Sequence, residues 1–299
     1  MSKLADKAVV VTGAGGGLGA AYARYLAGLG AAVVVNDVDT TNAEAVAEEI
    51  ASNGGRAIAA PGDVSQWAFA GSLVEACMEA LGTVTRFVNN AGIFRPALME
   101  DVSEDDFRRM IEVNLFGTAA CAQAAAGRMK KLGKGGSIVN VASGSQAGDI
   151  ALGAYGATKA AIASLTYSWA MELRGSGIRM NAVSPLAETA MAKQNAHLMA
   201  VQAQNREVHY AALPPAEANA PLIAFLLSDA SAGVNGQLVR IAGRQLSLVT
   251  HPMIAAPVLE DDWTLEKIET AFEETLSKHQ QKLGLAFVEV HDRVGGKLG

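Results

Sequence analysis

The chain has 299 residues, half of them hydrophobic and 18% charged, which is enough apolar material for a sizeable core without disulfides. A formal net charge of −6 argues against nucleic acid or an anionic membrane surface as a main partner. No uninterrupted apolar run approaches the roughly 20 residues needed to span a bilayer.

The opening stretch, MSKLADKAVVV, carries no apolar h-region followed by a cleavage site, so no leader is expected there. From Lys7 to about Gly243, short apolar runs alternate with longer amphipathic stretches, the pattern of repeated βα units around a parallel sheet. Strands are expected at Ala8–Thr12, Ala32–Asn36, Ala57–Ala60, Phe87–Asn89, Ser137–Val141, Arg179–Val183 and Gln237–Ile241. Their continuous Val/Ile/Ala character suits strands buried on both faces. Helices are expected between them, for example at Ala43–Asn53, Glu104–Lys131 and Ala154–Leu173. Cys77 and Cys121 fall in alanine-rich helical stretches and read as buried free thiols, which points to a reducing, cytoplasmic setting. The five histidines are scattered over the second half, so no metal site is expected. Past Gly243 the texture changes. Residues 251–261 look loop-like, and Leu265, Ile268, Phe272 and Leu276 then recur at helical spacing opposite Lys267, Glu269, Glu273 and Glu274. The expected organisation is one domain over 1–249 and a C-terminal extension over 250–299, whose amphipathic helix must bury its stripe against its own domain or a neighbouring subunit.

Thr12-Gly-Ala-Gly-Gly-Gly-Leu-Gly19 follows the first strand and precedes a helix. Glycines there allow a tight turn and close backbone approach to a pyrophosphate, which the helix N-terminus favours. Such a turn alone is common. It gains force from Asp37, which closes the second strand about 20 residues after Gly17, where a carboxylate can accept the ribose hydroxyls of NAD and repel the extra phosphate of NADP. No Arg or Lys lies between Thr12 and Ala23, or between Ala31 and Ala43, to hold a 2′-phosphate. NAD is the expected cofactor.

The turn departs from the strict G-x-G-x-x-G order, because Leu18 stands at the last glycine position; it fits T-G-x-x-x-G-x-G. With Asp63-Val64, Asn89-Asn90-Ala91-Gly92, Asn114 and Tyr155-Gly-Ala-Thr-Lys159 following in order, residues 5–243 resemble the short-chain dehydrogenase/reductase family. That resemblance implies a doubly wound parallel sheet of the Rossmann type, a three-layer α/β/α single domain. It makes Gly13, Gly17, Leu18 and Gly19 the phosphate turn, Asp63 and Val64 the adenine-binding pair, and Asn90 the residue closing over the adenosine ribose. It also makes Tyr155 the acid–base group and Lys159 its partner and ribose ligand. Asn114 would hold a water in the proton relay. Ser143, or in second place Ser145, would polarise the substrate oxygen. Asn181-Ala-Val-Ser-Pro185 resembles the segment at the nicotinamide end, although Leu186 replaces the usual glycine, and Thr189 matches the hydroxyl that holds the carboxamide. Residues 190–213 fall where the family carries its substrate lid.

Read as chemistry, Tyr155 and Lys159 lie four apart on a helix and so share a face. A free Tyr has a pKa near 10; a neighbouring ammonium and the positive nicotinamide ring are expected to lower it. Tyr155 could then take the proton of an alcohol as hydride leaves, or return it to a carbonyl. The implied activity is interconversion of a secondary alcohol and a ketone by hydride transfer, on a small-molecule substrate that is apolar or an acyl thioester. Val33-Val-Val-Asn-Asp37 is similar to the 3-hydroxyacyl-CoA dehydrogenase unit of multifunctional β-oxidation enzymes. The alternatives are a catalytically silent NAD-binding scaffold or a sugar-nucleotide epimerase, the latter less suited because its branch carries a larger substrate domain. Family members commonly pair through the fourth and fifth helices, so a homotetramer or homodimer is expected.

Overall fold

The computed structural model describes residues 4–187, 213–280 and 284–285, and in it each expected apolar run is a strand. They are β1 (Ala8–Val11), β2 (Ala32–Val35), β3 (Arg56–Ala59), β4 (Arg86–Asn89), β5 (Gly136–Val141), β6 (Ile178–Leu186) and β7 (Leu238–Ala242). An eighth strand, β8 (Gln245–Val249), follows the turn at Gly243 and pairs antiparallel with β7, in a stretch where the sequence offered no strand signal beyond alternating Leu246 and Leu248. The sheet runs in the order β3-β2-β1-β4-β5-β6-β7-β8, parallel from β3 to β7.

Both faces of this sheet are covered. Val9, Val11, Val33 and Val35 face one core with α1 (Gly17–Gly28), α2 (Thr40–Ser52) and the later helix Ala220–Leu227. The residues between them, Val10 and Val34, join Phe87 and Ile138 in a second core under α3 (Phe69–Leu81) and α5 (Gly117–Leu132). That alternation follows from the two-residue period of a strand. Since the chain winds outward from β1 to β3 and then returns to β4 beside β1, the order reverses at β1/β4. A crevice opens at such a reversal beyond the carboxyl ends of the strands.

The expected helix over Glu104–Lys131 is not regular. It comprises α4 (Glu104–Met110), a π-helical segment (Ile111–Phe116) and α5. Within the π segment Asn114 is fully buried: its Oδ1 accepts from the Ile93 N–H at 2.7 Å, and its Nδ2 donates to the Ile93 carbonyl at 3.0 Å and to Thr158 Oγ1 at 3.1 Å. These tertiary bonds fix the irregular turn, and helical periodicity does not reveal them. The helix α6 spans Gly153–Glu172, α7 is Ala220–Leu227, and β6 extends through Pro185 and Leu186, which pair with Ile241 and Ala242. Leu186 is thus extended backbone, a conformation that needs no glycine.

The chain divides into two compact units, Met1–Val249 and Thr250–Gly299. In the second unit α8 (Leu265–Glu274) is capped by the Thr264 hydroxyl and buries none of its residues; Leu265, Ile268 and Phe272 of the apolar stripe are exposed. Leu276 lies just past it, in a 3-10 turn.

Candidate active site

At the carboxyl end of β1 the chain turns through Gly13, with φ of +60°, into α1. Gly19 packs so tightly beneath this turn that a Cβ there would lie 2.1 Å from the Gly13 carbonyl oxygen. Glycine is therefore obligatory at position 19, whereas Leu18 packs its side chain against the core. Gly16, by contrast, faces open space. Thr12 ties the turn to the next strand: its Oγ1 accepts from the N–H groups of Asn90 and Ala91, at 3.0 and 3.1 Å. Asn90 completes this brace, with Nδ2 donating to the carbonyls of Thr12 and Gly13, both at 3.0 Å. Asn90 thereby shapes the turn itself.

These elements wall a groove of about 470 Å³ lined by Gly13, Gly17, Leu18, Asp37, Asp63, Val64, Asn90, Tyr155 and Lys159. Asp37 Oδ2 accepts from the Gly15 N–H at 2.9 Å and Oδ1 from the Asp39 N–H at 3.1 Å, so its carboxylate sits against the turn. Val64 packs on Gly117, where a Cβ would meet it at 2.8 Å, and so belongs partly to the core. Burial acts to raise the Asp63 pKa, but hydrogen bonds from Ser65 and the Arg109 guanidinium more than offset it and hold the carboxyl below its usual range. Asp63 lies on the β3 side of the groove; Tyr155 and Lys159 come from α6.

Lys159 is 3% exposed and donates to the Val141 carbonyl at 2.8 Å. Burial lowers its pKa to about 8. The Tyr155 ring stands edge-on to Phe94, centroids 4.9 Å apart, with the Lys159 ammonium 5.5 Å from its centre. Its phenol is pushed up to about 12 by burial, and a hydrogen bond with the Ser143 hydroxyl acts the other way. Within the chain alone, loss of water around the phenolate is the larger effect; the expected lowering counts on a positive nicotinamide ring beside the phenol and so belongs to the cofactor-bound chain. Ser143 follows β5 and is the hydroxyl that acts on the Tyr155 phenol; its Oγ donates to Ser145 Oγ at 3.3 Å and accepts from the Ser145 N–H at 3.2 Å. Thr189 lies outside the described residues, as do Met191, Leu198, Met199 and Tyr210 of the expected lid.

Four residues that build the site escaped sequence reasoning. Thr158 accepts from Asn114 and donates to the Tyr155 carbonyl at 2.8 Å, and its position inside the Tyr155–Lys159 motif was the available signal. Thr12 heads the glycine motif and could have been found the same way. Phe94 and Arg109 reach the site through contacts that span tens of residues, for which local sequence carries no signal. Among the described residues, no group of three or more His, Cys, Asp or Glu could hold a metal ion, and no helix is long and apolar enough to cross a membrane.

The glycine cradle, with one position closed to any side chain and another open, fits a pyrophosphate-bearing dinucleotide along the groove. Comparison with known proteins agrees. The family described as short chain dehydrogenase matches residues 7–205. The cis-4-hydroxycyclohexanecarboxylate dehydrogenase of Sinomonas cyclohexanicum is 39% identical over 243 residues, covering 80% of this chain and 96% of its own. A hydroxyacyl-CoA dehydrogenase of Mycobacterium tuberculosis is 37% identical over 264 residues, covering 83% and 81%. The crystal structure of a short chain dehydrogenase from Mycobacterium avium superposes with a TM-score of 0.83 at 30% identity, over 94% of this chain and 98% of that one. The chain belongs to the short-chain dehydrogenases, oxidoreductases that act on alcohols with a nicotinamide cofactor.

Proposed function

We propose that this chain is an NAD-dependent dehydrogenase that interconverts a secondary alcohol and a ketone on an apolar or acyl-thioester substrate. The observation that carries the reading is the buried Tyr155 phenol, lying beside Lys159 in the glycine-walled groove with Ser143 at the end of β5 acting on it. When bound, the nicotinamide supplies the hydride acceptor or donor. Gly13, Gly17, Leu18 and Gly19 would hold its pyrophosphate, Asp37 and Asn90 the adenosine ribose, Asp63 and Val64 the adenine, Lys159 the nicotinamide ribose and Thr189 the carboxamide.

The chain's own residues handle the proton. Ser143 donates to the substrate oxygen and fixes it near Tyr155. Tyr155 then takes the hydroxyl proton during oxidation or returns it during reduction. Asn114 sets the spacing between the Ile93 loop and α6, and so governs access for a relay water. Support for NAD comes from the Asp37 carboxylate on the groove wall and from a turn without Arg or Lys. The acyl-thioester class is supported by the likeness to a hydroxyacyl-CoA dehydrogenase. Exposed Phe107, Phe116 and Met171 on the α4–α5 and α6 stretches support an assembly of two or four copies, which light scattering at micromolar concentration tests.

The test is a screen of secondary alcohols, hydroxysteroids and hydroxyacyl-CoAs with NAD and NADP, read as cofactor absorbance. Turnover of an apolar alcohol or hydroxyacyl-CoA with NAD is the expected result. No turnover on any of them, or equal use of both cofactors, would overturn the corresponding part.

A further inference from the structure

On the β3 side of the groove the wall includes Asp63, Val113 and Arg109. Arg109 Nη2 donates to Asp63 Oδ2 at 3.1 Å, while Nη1 donates to Ser65 Oγ at 2.9 Å and to Glu112 Oε2 at 3.4 Å. The other Asp63 oxygen, Oδ1, accepts from the Ser65 N–H at 2.9 Å. One planar guanidinium thus bridges the loop after β3 to the helix carrying Asn114, and each Asp63 oxygen is held by one donor. An ionised carboxylate offers about four acceptor sites, so this clamp orients the group and leaves it able to accept again. The side chains of Arg109 and Asp63 are 44% and 29% exposed, and an ion pair in such a place contributes about 0–1 kcal/mol of stability. Stability is therefore a poor reason for the arrangement. Orientation of a groove-lining carboxylate is a better one.

We propose that Arg109 is a positioning residue for the purine end of the cofactor: by holding Asp63 across the groove, it aims the carboxylate at the exocyclic amine of adenine and makes the chain select a 6-amino over a 6-oxo purine dinucleotide. The proposal rests on the cofactor reading above, but not on the choice of NAD over NADP, since both carry adenine. An amine donates to a carboxylate, whereas a ring carbonyl presents a second acceptor and is repelled.

The test is direct binding, by calorimetric titration, of NAD and of nicotinamide hypoxanthine dinucleotide, to the intact chain and to Arg109→Leu and Arg109→Lys. The unmodified chain should prefer NAD by about tenfold or more, the scale of one hydrogen bond to a charged acceptor. Arg109→Leu should shrink that preference to within about threefold, chiefly through weaker NAD. Arg109→Lys, which keeps a donor for Oδ2, should retain most of the preference. An unchanged ratio in Arg109→Leu would overturn the proposal alone. So would an equal loss of affinity for both dinucleotides with a lowered unfolding temperature, which marks a purely structural role. An unmodified chain that binds neither NAD nor NADP would overturn the cofactor reading and this proposal with it. If only NADP binds, NADP and its hypoxanthine counterpart replace the first pair in the same comparison.

Discussion

Lys159 gives a hydrogen bond to the carbonyl of Val141 at 2.8 Å while its ammonium stands 5.5 Å from the centre of the Tyr155 ring, so one buried cation both anchors α6 to β5 and faces the Tyr155 ring. Burial pushes the Tyr155 phenol up to about 12, so within the chain alone it keeps its proton near neutral pH. Alcohol oxidation, which needs the phenolate, should therefore gain kcat/KM as pH rises above neutrality, while carbonyl reduction should not. Tyr155→Phe should cut turnover by at least ~10²–10⁴ with cofactor affinity nearly unchanged. Ser143→Ala should be far more damaging than Ser145→Ala, because Ser143 is the hydroxyl that acts on the Tyr155 phenol. Steady-state kinetics of the three variants in both directions check this.

The buried ammonium of Lys159 should also appear in stability. Its pKa falls from 10.5 to about 8 on folding, because burial disfavours the charged form. Between those values the unfolded chain binds a proton that the folded chain has released, so stability from this group rises with pH across the window. Lys159→Met should consequently be more stable than the unmodified chain below pH 8, and the difference should shrink as pH approaches 10.5. Urea unfolding from pH 7 to 10 measures it; a constant difference would contradict the assignment.

Cofactor choice should turn on Asp37. Its carboxylate and a 2′-phosphate close by repel by several kcal/mol at an effective dielectric of about 20, and NAD should be preferred by at least ~100-fold in kcat/KM, roughly 2.7 kcal/mol. Asp37→Ala should narrow that preference mainly by weakening NAD. Adding Gly16→Arg, at a position facing open space, should improve NADP further.

The two glycines should also separate under the mildest substitution. Gly19→Ala would place a methyl 2.1 Å from the Gly13 carbonyl oxygen, which forces the turn open and should abolish dinucleotide binding. Gly16→Ala meets nothing within 4 Å and should leave binding within about twofold. Binding titrations of the pair test the geometry of the turn.

Tyr22 is fully buried on α1, its hydroxyl has no partner among the described residues, and burial drives its pKa up. Removing an unsatisfied buried hydroxyl stabilises, so Tyr22→Phe should gain up to about 1 kcal/mol. A lowered unfolding midpoint would mean that the hydroxyl has a bond in solution.

Most of the parallel strands were legible because they contain runs such as Val9–Val11 or Val33–Val35, buried on both faces and bounded by glycine or polar turns; β3 is half-buried and carries a weaker signal. Tyr155, Lys159, Asn114 and the glycine turn were legible because their spacing is local. What sequence could not give depends on contacts distant along the chain. The Asp63–Arg109 pair joins residues 46 positions apart, and the Tyr155–Phe94 ring contact spans a similar stretch. The surroundings of Tyr155 belong with these: charge neighbours can be read from a motif, but the burial that raises its phenol within the chain cannot. β8 was missed because its residues are exposed or only half-buried, so it offers no continuous apolar run of the kind that marks the inner strands.

The π segment at Ile111–Phe116 has a consequence for the phase of the whole helix. A π turn spends one more residue than an α turn before closing its hydrogen bond. Everything N-terminal to it is therefore set about 100° out of step with what α5 would dictate on its own. Restoring a regular helix by deleting one residue from this segment would leave α5 seated against β5, yet roll α4 about its axis. Arg109 would swing away from Asp63, and Phe107 would exchange its outward direction for another. The extra residue thus acts as a fixed offset between two surfaces of one rod, letting a single stretch of chain serve the Asp63 wall of the groove, the Asn114 crossing and an exposed aromatic face at once.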